Sequence, residues 1–239
     1  MYHPKGPTFL ELMQQALSST TKGYDLLASK FDYTPFRTPD ALLDRIAPHL
    51  GAPGSVARAL DVCCGTGAGM RVLRPIARDL VVGADFSRGM MEEASTHVPS
   101  WEGAAKVAFV QADARALPFR RAFGLATCFG ANGHIPVTDE QAFLRSVAQS
   151  LEMGGRFVFL SARMPPVWSR SYLVSRGFNA VMHARNLVLK PPFVMFYLTF
   201  LLPEVKRQLE VEGFEVEIRE GLFEPPFSAA ILVVATRVR

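Results

Sequence analysis

From residue 57 the chain alternates short apolar runs with stretches in which apolar residues return every three or four positions. The runs "ARALDVC", "DLVVGAD", "AKVAFVQAD", "FGLATCFG" and "GGRFVFLSA" read as strands. Residues 67–78, the segment "SRGMMEEASTHV" and residues 139–151 read as the helices between them. Runs that stay apolar, without strict alternation, belong to strands buried on both faces. The order therefore predicts an α/β fold, with a mainly parallel sheet between two layers of helices.

Both flanks break this rhythm. Residues 8–31 have helical spacing, with Phe9, Leu12, Met13 and Leu17 on one face and Thr8 and Glu11 spaced as a capping box. A second helix is expected from about Pro39 to Leu50, with Thr38 as N-cap and Gly51 as stop. Residues 164–202 are apolar and aromatic, with prolines at 165, 166, 191 and 192. A helix, "PEVKRQLEVEG", and two strands, "FEVEIRE" and "AAILVVATRV", follow. The division expected is one domain over 1–239: helices in 1–50, a ligand-binding core in 57–161, a cap in 162–202, and a closing helix and strands in 203–239.

Composition narrows the class. Of 239 residues, 49% are hydrophobic and 20% charged, which is the balance of a globular chain. The net charge of +4 comes with no Lys/Arg-rich run, so a nucleic-acid partner is not expected. Three cysteines without C-x-x-C spacing read as reduced packing residues, and no metal site is expected. The amino terminus lacks the unbroken apolar core of a signal peptide, so a cytoplasmic location is expected. The longest apolar stretch, "PPFVMFYLTFLLP", falls short of the roughly 20 residues a bilayer span needs.

The chemistry gathers at "ALDVCCGTGAG", residues 59–69. A strand entering a glycine turn and then a helix presents free N–H groups and a positive dipole end to a ligand. No Gly-Lys-Ser/Thr follows, which excludes a triphosphate loop. Gly65, Gly67 and Gly69 give G-x-G-x-G instead of the dinucleotide G-x-G-x-x-G. Asp61, before the turn, would repel a pyrophosphate but attract an ammonium. Asp85 closes the next strand, where a carboxylate accepts from ribose hydroxyls. Asp113 closes the third, where it could accept from an exocyclic amine. A helix cap or a solvated loop is the plainer alternative for each acid taken singly.

In order and spacing, "LDVCCGTGAG", "VGADFS", "QADARALPF" and "LEMGGRFVF" resemble the class I S-adenosylmethionine-dependent methyltransferases, over roughly residues 57–161. The likeness is to their small-molecule branch, which includes ubiquinone/menaquinone-biosynthesis-like enzymes. It implies a Rossmann-like seven-stranded sheet, mostly parallel with the last strand antiparallel. It implies S-adenosyl-L-methionine as cofactor, with Asp61, Gly65, Thr66 and Gly67 near its methionine part and Asp85 on the ribose. Phe86 and Met90 would flank the adenine, with Asp113 and Ala114 at its edge. "KGYDLLASKFD" resembles the family's Tyr-Asp helix, which would put Tyr24 at the cofactor carboxylate. The chain departs from the family at Gly124, where an acid is usual.

The fourth strand leads into "CFGANGHI", which would pass beside the transferred methyl group, with Phe129 and Gly130 against the cofactor. His134 is the candidate general base, and helix capping or loop orientation is its structural alternative. Residues 161–203 contain no Asp or Glu but carry arginines among Trp168, Tyr172, Phe178, Phe193, Phe196, Tyr197 and Phe200. Two readings stay open: a cap whose aromatics form its own core, or a lid over a lipophilic acceptor with peripheral membrane contact through 186–202. The functional reading is methyl transfer to a small, apolar or aromatic acceptor. The alternatives are a protein that binds the cofactor without turnover and an NAD-dependent oxidoreductase.

Overall fold

The computed structural model describes residues 3–98 and 105–239. Seven strands form one sheet: β1 (Val56–Val62), β2 (Ala77–Asp85), β3 (Lys106–Gln111), β4 (Phe123–Cys128), β5 (Leu151–Arg163), β7 (Phe214–Arg219) and β8 (Ile231–Arg237). Their order is β3-β2-β1-β4-β5-β8-β7, and the two-residue β6 (Leu201–Leu202) pairs with the end of β5. Strands β3 to β5 run parallel along this path, while β8 is antiparallel to both neighbours. The expected architecture holds, with one short strand added.

Alternate residues on the strands serve two cores. Leu60, Val62, Phe157, Phe159 and Val233 face α6 (Glu140–Ser150) and α8 (Glu204–Val211). Ala59, Val81, Leu125, Val158 and Leu232 face the other layer, with α3 (Asp40–Leu50) and α4 (Ala68–Leu73). The helix α5 (Arg88–His97) follows β2. Burial on both faces is why these strands read as unbroken apolar runs.

The order reverses between β1 and β4, which are adjacent in space but lead to opposite halves of the sheet. A crevice opens at such a point beyond the carboxyl ends of the strands.

Several local expectations need correction. The single helix expected over 8–31 is three pieces: α1 (Phe9–Leu17), α2 (Thr20–Leu27) and a 3-10 turn over Ala28–Tyr33. Thr8 does close a capping box with Glu11, but Ser18 and Ser19 interrupt the helix, and Ser19 caps α2. The expected apolar face of α1 is turned outward, with Phe9, Met13 and Leu17 exposed. The helix after the glycine turn stops at Leu73, since Ala77 already enters β2. Pro39, not Thr38, occupies the N-cap of α3.

Candidate active site

The glycine turn is shaped by left-handed backbone at alternate positions: Cys63 (φ 55°), Gly65 (φ 51°) and Gly67 (φ 88°). Glycine adopts this region without steric penalty, and only Cys63 bears the cost of a side chain there. Gly69 is required for a different reason. A Cβ on it would lie 2.5 Å from Asp61 Oδ2, so the first turn of α4 passes directly against that carboxylate. The alternate-glycine spacing is thus two turn positions followed by one close approach.

Asp61 is buried at the end of β1 and accepts a 2.8 Å hydrogen bond from Thr127 Oγ1 on β4. Loss of solvation pushes its carboxyl up to about 7, and the Thr127 bond offsets only part of that. Asp85 ends β2, also buried, with Oδ2 accepting from Gly65 N (2.9 Å) and Oδ1 from Ser87 N (2.8 Å). Burial raises it to about 6, against the lowering effect of those backbone donors. Each Asp85 oxygen has a backbone donor and keeps lone-pair capacity for another. Two buried carboxylates with no cation partner among the described residues form a site suited to a ligand that brings positive charge and hydroxyl donors.

The amino-terminal helices are latched over this turn. Asp25 accepts from Ser87 Oγ (2.6 Å) and Gly89 N (2.9 Å) at the start of α5. Asp32 accepts from Thr66 Oγ1 (2.6 Å) and pairs with Arg37 and His97. Tyr24, between these latches, faces the cavity and approaches Phe86 edge-on at 6.1 Å.

Tyr24 Oη lies 2.5 Å from His134 Nε2, and His134 Nδ1 lies 2.7 Å from Val194 O. A carbonyl only accepts, so Nδ1 carries the proton and Nε2 accepts from the tyrosine hydroxyl. Burial lowers the imidazole pKa and keeps the ring neutral, and burial followed by the charge of Asp85 raises that of the Tyr24 phenol.

Residues 193–199 form a strap across the cavity. Phe196 N donates to Gly133 O (2.7 Å), Thr199 Oγ1 to Asn132 O (2.9 Å) and Val194 N to Thr20 Oγ1 (2.7 Å). Beyond Thr199, Phe200 N donates to Glu140 Oε1 (2.6 Å). Leu198 and Phe200 sit at positive φ, held there by these bonds. The helix α7 (Arg170–Val188) lies on the strap's outer side: Asn179 bonds both the N–H and the C=O of Tyr197, and Phe178 packs on the Tyr197 ring at 4.9 Å.

The cavity, partly open to the outside, measures about 340 Å³, within the usual range for small-molecule sites. Tyr24, Asp61, Gly65, Thr66, Asp85, Phe86, Met90, Phe129, Gly130 and His134 all line it. Three residues expected in the site lie elsewhere. Gly67 lines a polar groove behind the turn, with Arg71 and His97. Asp113 is engaged by Arg115, through its backbone N–H (2.9 Å) and its guanidinium (2.7 Å), and neither Asp113 nor Ala114 is on the cavity wall. That ion pair is local and was invisible to a reading based on strand ends. Of the cap aromatics, Phe196 and Tyr197 line the cavity, Phe193 stacks on Tyr24, Phe200 joins the core, and Trp168 is exposed. Phe31, Phe36 and Arg37 also line it, unforeseen because their approach depends on how the 3-10 turn docks.

A glycine turn at a sheet's reversal point, with buried acids at the ends of two adjacent strands, defines an enzyme for an adenosyl-type cofactor. A family model described as a methyltransferase domain matches residues 59–155. Demethylmenaquinone methyltransferase of Staphylococcus aureus strain JH9 is 33% identical over 218 residues, covering 85% of each chain. Among solved structures, magnesium protoporphyrin IX methyltransferase from Synechocystis PCC 6803 with bound SAH aligns at a TM-score of 0.62, 17% identity, and 91% and 95% coverage of this chain and that one. The DhpI–SAH complex aligns at 0.64, with 19% identity and 97% and 99% coverage. The chain belongs to the class I S-adenosylmethionine-dependent methyltransferases. Its residues fit that cofactor: a Cβ on Gly65 would meet nothing within 4 Å, so the turn is open to a ligand, and the neighbouring buried acids have the chemistry to accept from ammonium and hydroxyl donors.

Proposed function

We propose that the enzyme methylates a small, apolar or aromatic organic acceptor held beneath the strap. The wall carries this reading. Away from the glycine turn, Phe31, Phe36, Phe129, Phe196 and Leu198 line it, and Arg37 is the one arginine or lysine there among the described residues. The name of the staphylococcal relatives fits an acceptor of this class.

In this reading Asp85 holds the ribose hydroxyls, Asp61 the ammonium, and Phe86 and Met90 flank the adenine. The cofactor supplies an electrophilic methyl carbon activated by its sulfonium, so the protein's task is to align an acceptor in line with the bond that breaks and keep water out. Such alignment is worth up to about 7–11 kcal/mol of barrier. For a hydroxyl acceptor a proton must also leave. The Tyr24 oxygen accepts it while the Tyr24 proton passes to His134 Nε2, so His134 serves as general base through Tyr24.

The test is methyl transfer from labelled S-adenosylmethionine to a panel of hydroxylated aromatic acceptors in detergent, beside small polar acceptors of equal nucleophilicity. Turnover of the apolar set is expected. Turnover confined to the polar set would overturn the proposal.

A further inference from the structure

Helix α7 has 19 residues and none of them is buried. Its inner side, with Tyr172, Phe178, Met182 and Arg185 half-buried, rests on the strap and α1. The opposite side is also apolar: Leu173, Val174, Val181, Leu187 and Val188 are exposed, the last two at 82% and 81%, and Trp168 just before the helix at 87%. Apolar side chains on both sides of a helix call for cover on both, yet here one set faces outward beside the exposed Arg170 and Arg176. Arg185 donates to Ala16 O (3.0 Å) and Ser18 O (2.8 Å), which ties α7 to α1. The exposed Leu17 lies between the two residues of this tie.

We infer that this face docks on an anionic lipid bilayer, lying in the interface without crossing it. Charge decides the occupant. Residues 161–203 contain no acid, and Arg170, Arg176 and Lys190 have no ion-pair partner among the described residues. Two copies of the chain joined through α7 would bring these cations together with no acid of the segment to offset them. Anionic headgroups would neutralise them while the aliphatic side chains enter the acyl boundary and Trp168 sits at headgroup level. No helix among the described residues is long and apolar enough to cross a membrane. The inference deepens the lipophilic-acceptor reading, because the strap under α7 is a wall of the cavity, but it stands on the outer surface alone.

The experiment is co-sedimentation of the full chain with phosphatidylcholine vesicles, with and without phosphatidylglycerol, and with no acceptor present. Binding is expected to the anionic vesicles and to weaken as salt is raised. Leu187→Glu with Val188→Glu should weaken it about tenfold or more, from lost apolar burial and added repulsion. Arg170→Ala and Arg176→Ala should each cost roughly fivefold. Circular dichroism and cofactor affinity should stay at the parental value in all these variants. Equal binding to neutral and anionic vesicles, no binding at all, or a soluble dimer that Leu187→Glu with Val188→Glu converts to monomer would overturn it. Failure of the acceptor reading would appear separately, as absent turnover of detergent-dispersed aromatics by a chain that still binds vesicles.

Discussion

Around one cavity, the wall made by β1, β2 and the glycine turn and the wall made by residues 193–199 hold their side chains by different means. The first is a set of buried charged groups on rigid strands. Asp61 and Asp85 are fixed by Thr127, Gly65 and Ser87, and they are buried with no counter-charge among the described residues. The second is a strand-poor strap of apolar side chains, tied mostly through backbone groups and covered by a helix with no buried residue. A cofactor of constant chemistry suits a pre-organised polar wall, because its charges must be matched at fixed positions. An apolar acceptor is recognised by area and shape, which a strap can supply without a single fixed polar partner.

This contrast can be tested most sharply at His134, which bonds the strap at Val194 O and Tyr24 of the amino-terminal helices. His134→Ala should lower turnover of a hydroxyl acceptor by about 10²–10⁴-fold and leave cofactor affinity near the parental value. Stopped-time turnover and calorimetry on the same preparation separate the two quantities. Weakened cofactor binding with normal turnover at saturation would make His134 a purely structural tie.

On the polar wall, Asp85→Ala removes the carboxylate proposed to accept from the ribose hydroxyls and strands the Gly65 and Ser87 N–H groups. Calorimetry should show cofactor affinity reduced by about 10²-fold or more. On the apolar wall, Phe196→Ala should raise the acceptor KM by roughly tenfold or more through lost contact area, with cofactor affinity unchanged. A cofactor defect in Phe196→Ala would mean that the two walls are not separable.

The last test is a pH dependence confined to the polar wall. Asp61 titrates near 7 and Asp85 near 6 in the free protein, both above their ordinary 3.8 because burial disfavours the charged form. The folded chain therefore holds protons that the unfolded chain has released. Their stabilising contribution is complete below about pH 4 and is lost as pH rises to about 7. Thermal melting of the free protein should fall between about pH 5 and about pH 7.5, and Asp61→Asn should flatten that slope. The shift produced by the cofactor should grow over the same interval, since its ammonium prefers the carboxylate form.

The chain's own pattern determined the sheet, its two helical layers and the polar wall. Those features rest on short-range regularities: runs buried on both faces, acids at strand ends, and glycines where φ is positive or a helix grazes Asp61. The same reading could not supply contacts between side chains, near or far. Asp113 closes its strand as expected but is held by Arg115, which also reaches Asp139. Periodicity put Phe9, Leu12, Met13 and Leu17 on one face of α1, but that the face turns outward was settled only by how the helix docks. Phe31, Phe36 and Arg37 reach the cavity only because Asp25 and Asp32 latch onto Ser87 and Thr66, some 60 and 30 residues away. Periodicity reports which side chains share a face of one element. Which face meets the cavity, the core or the outside is settled by contacts between elements, and those exist only once the chain has closed on itself.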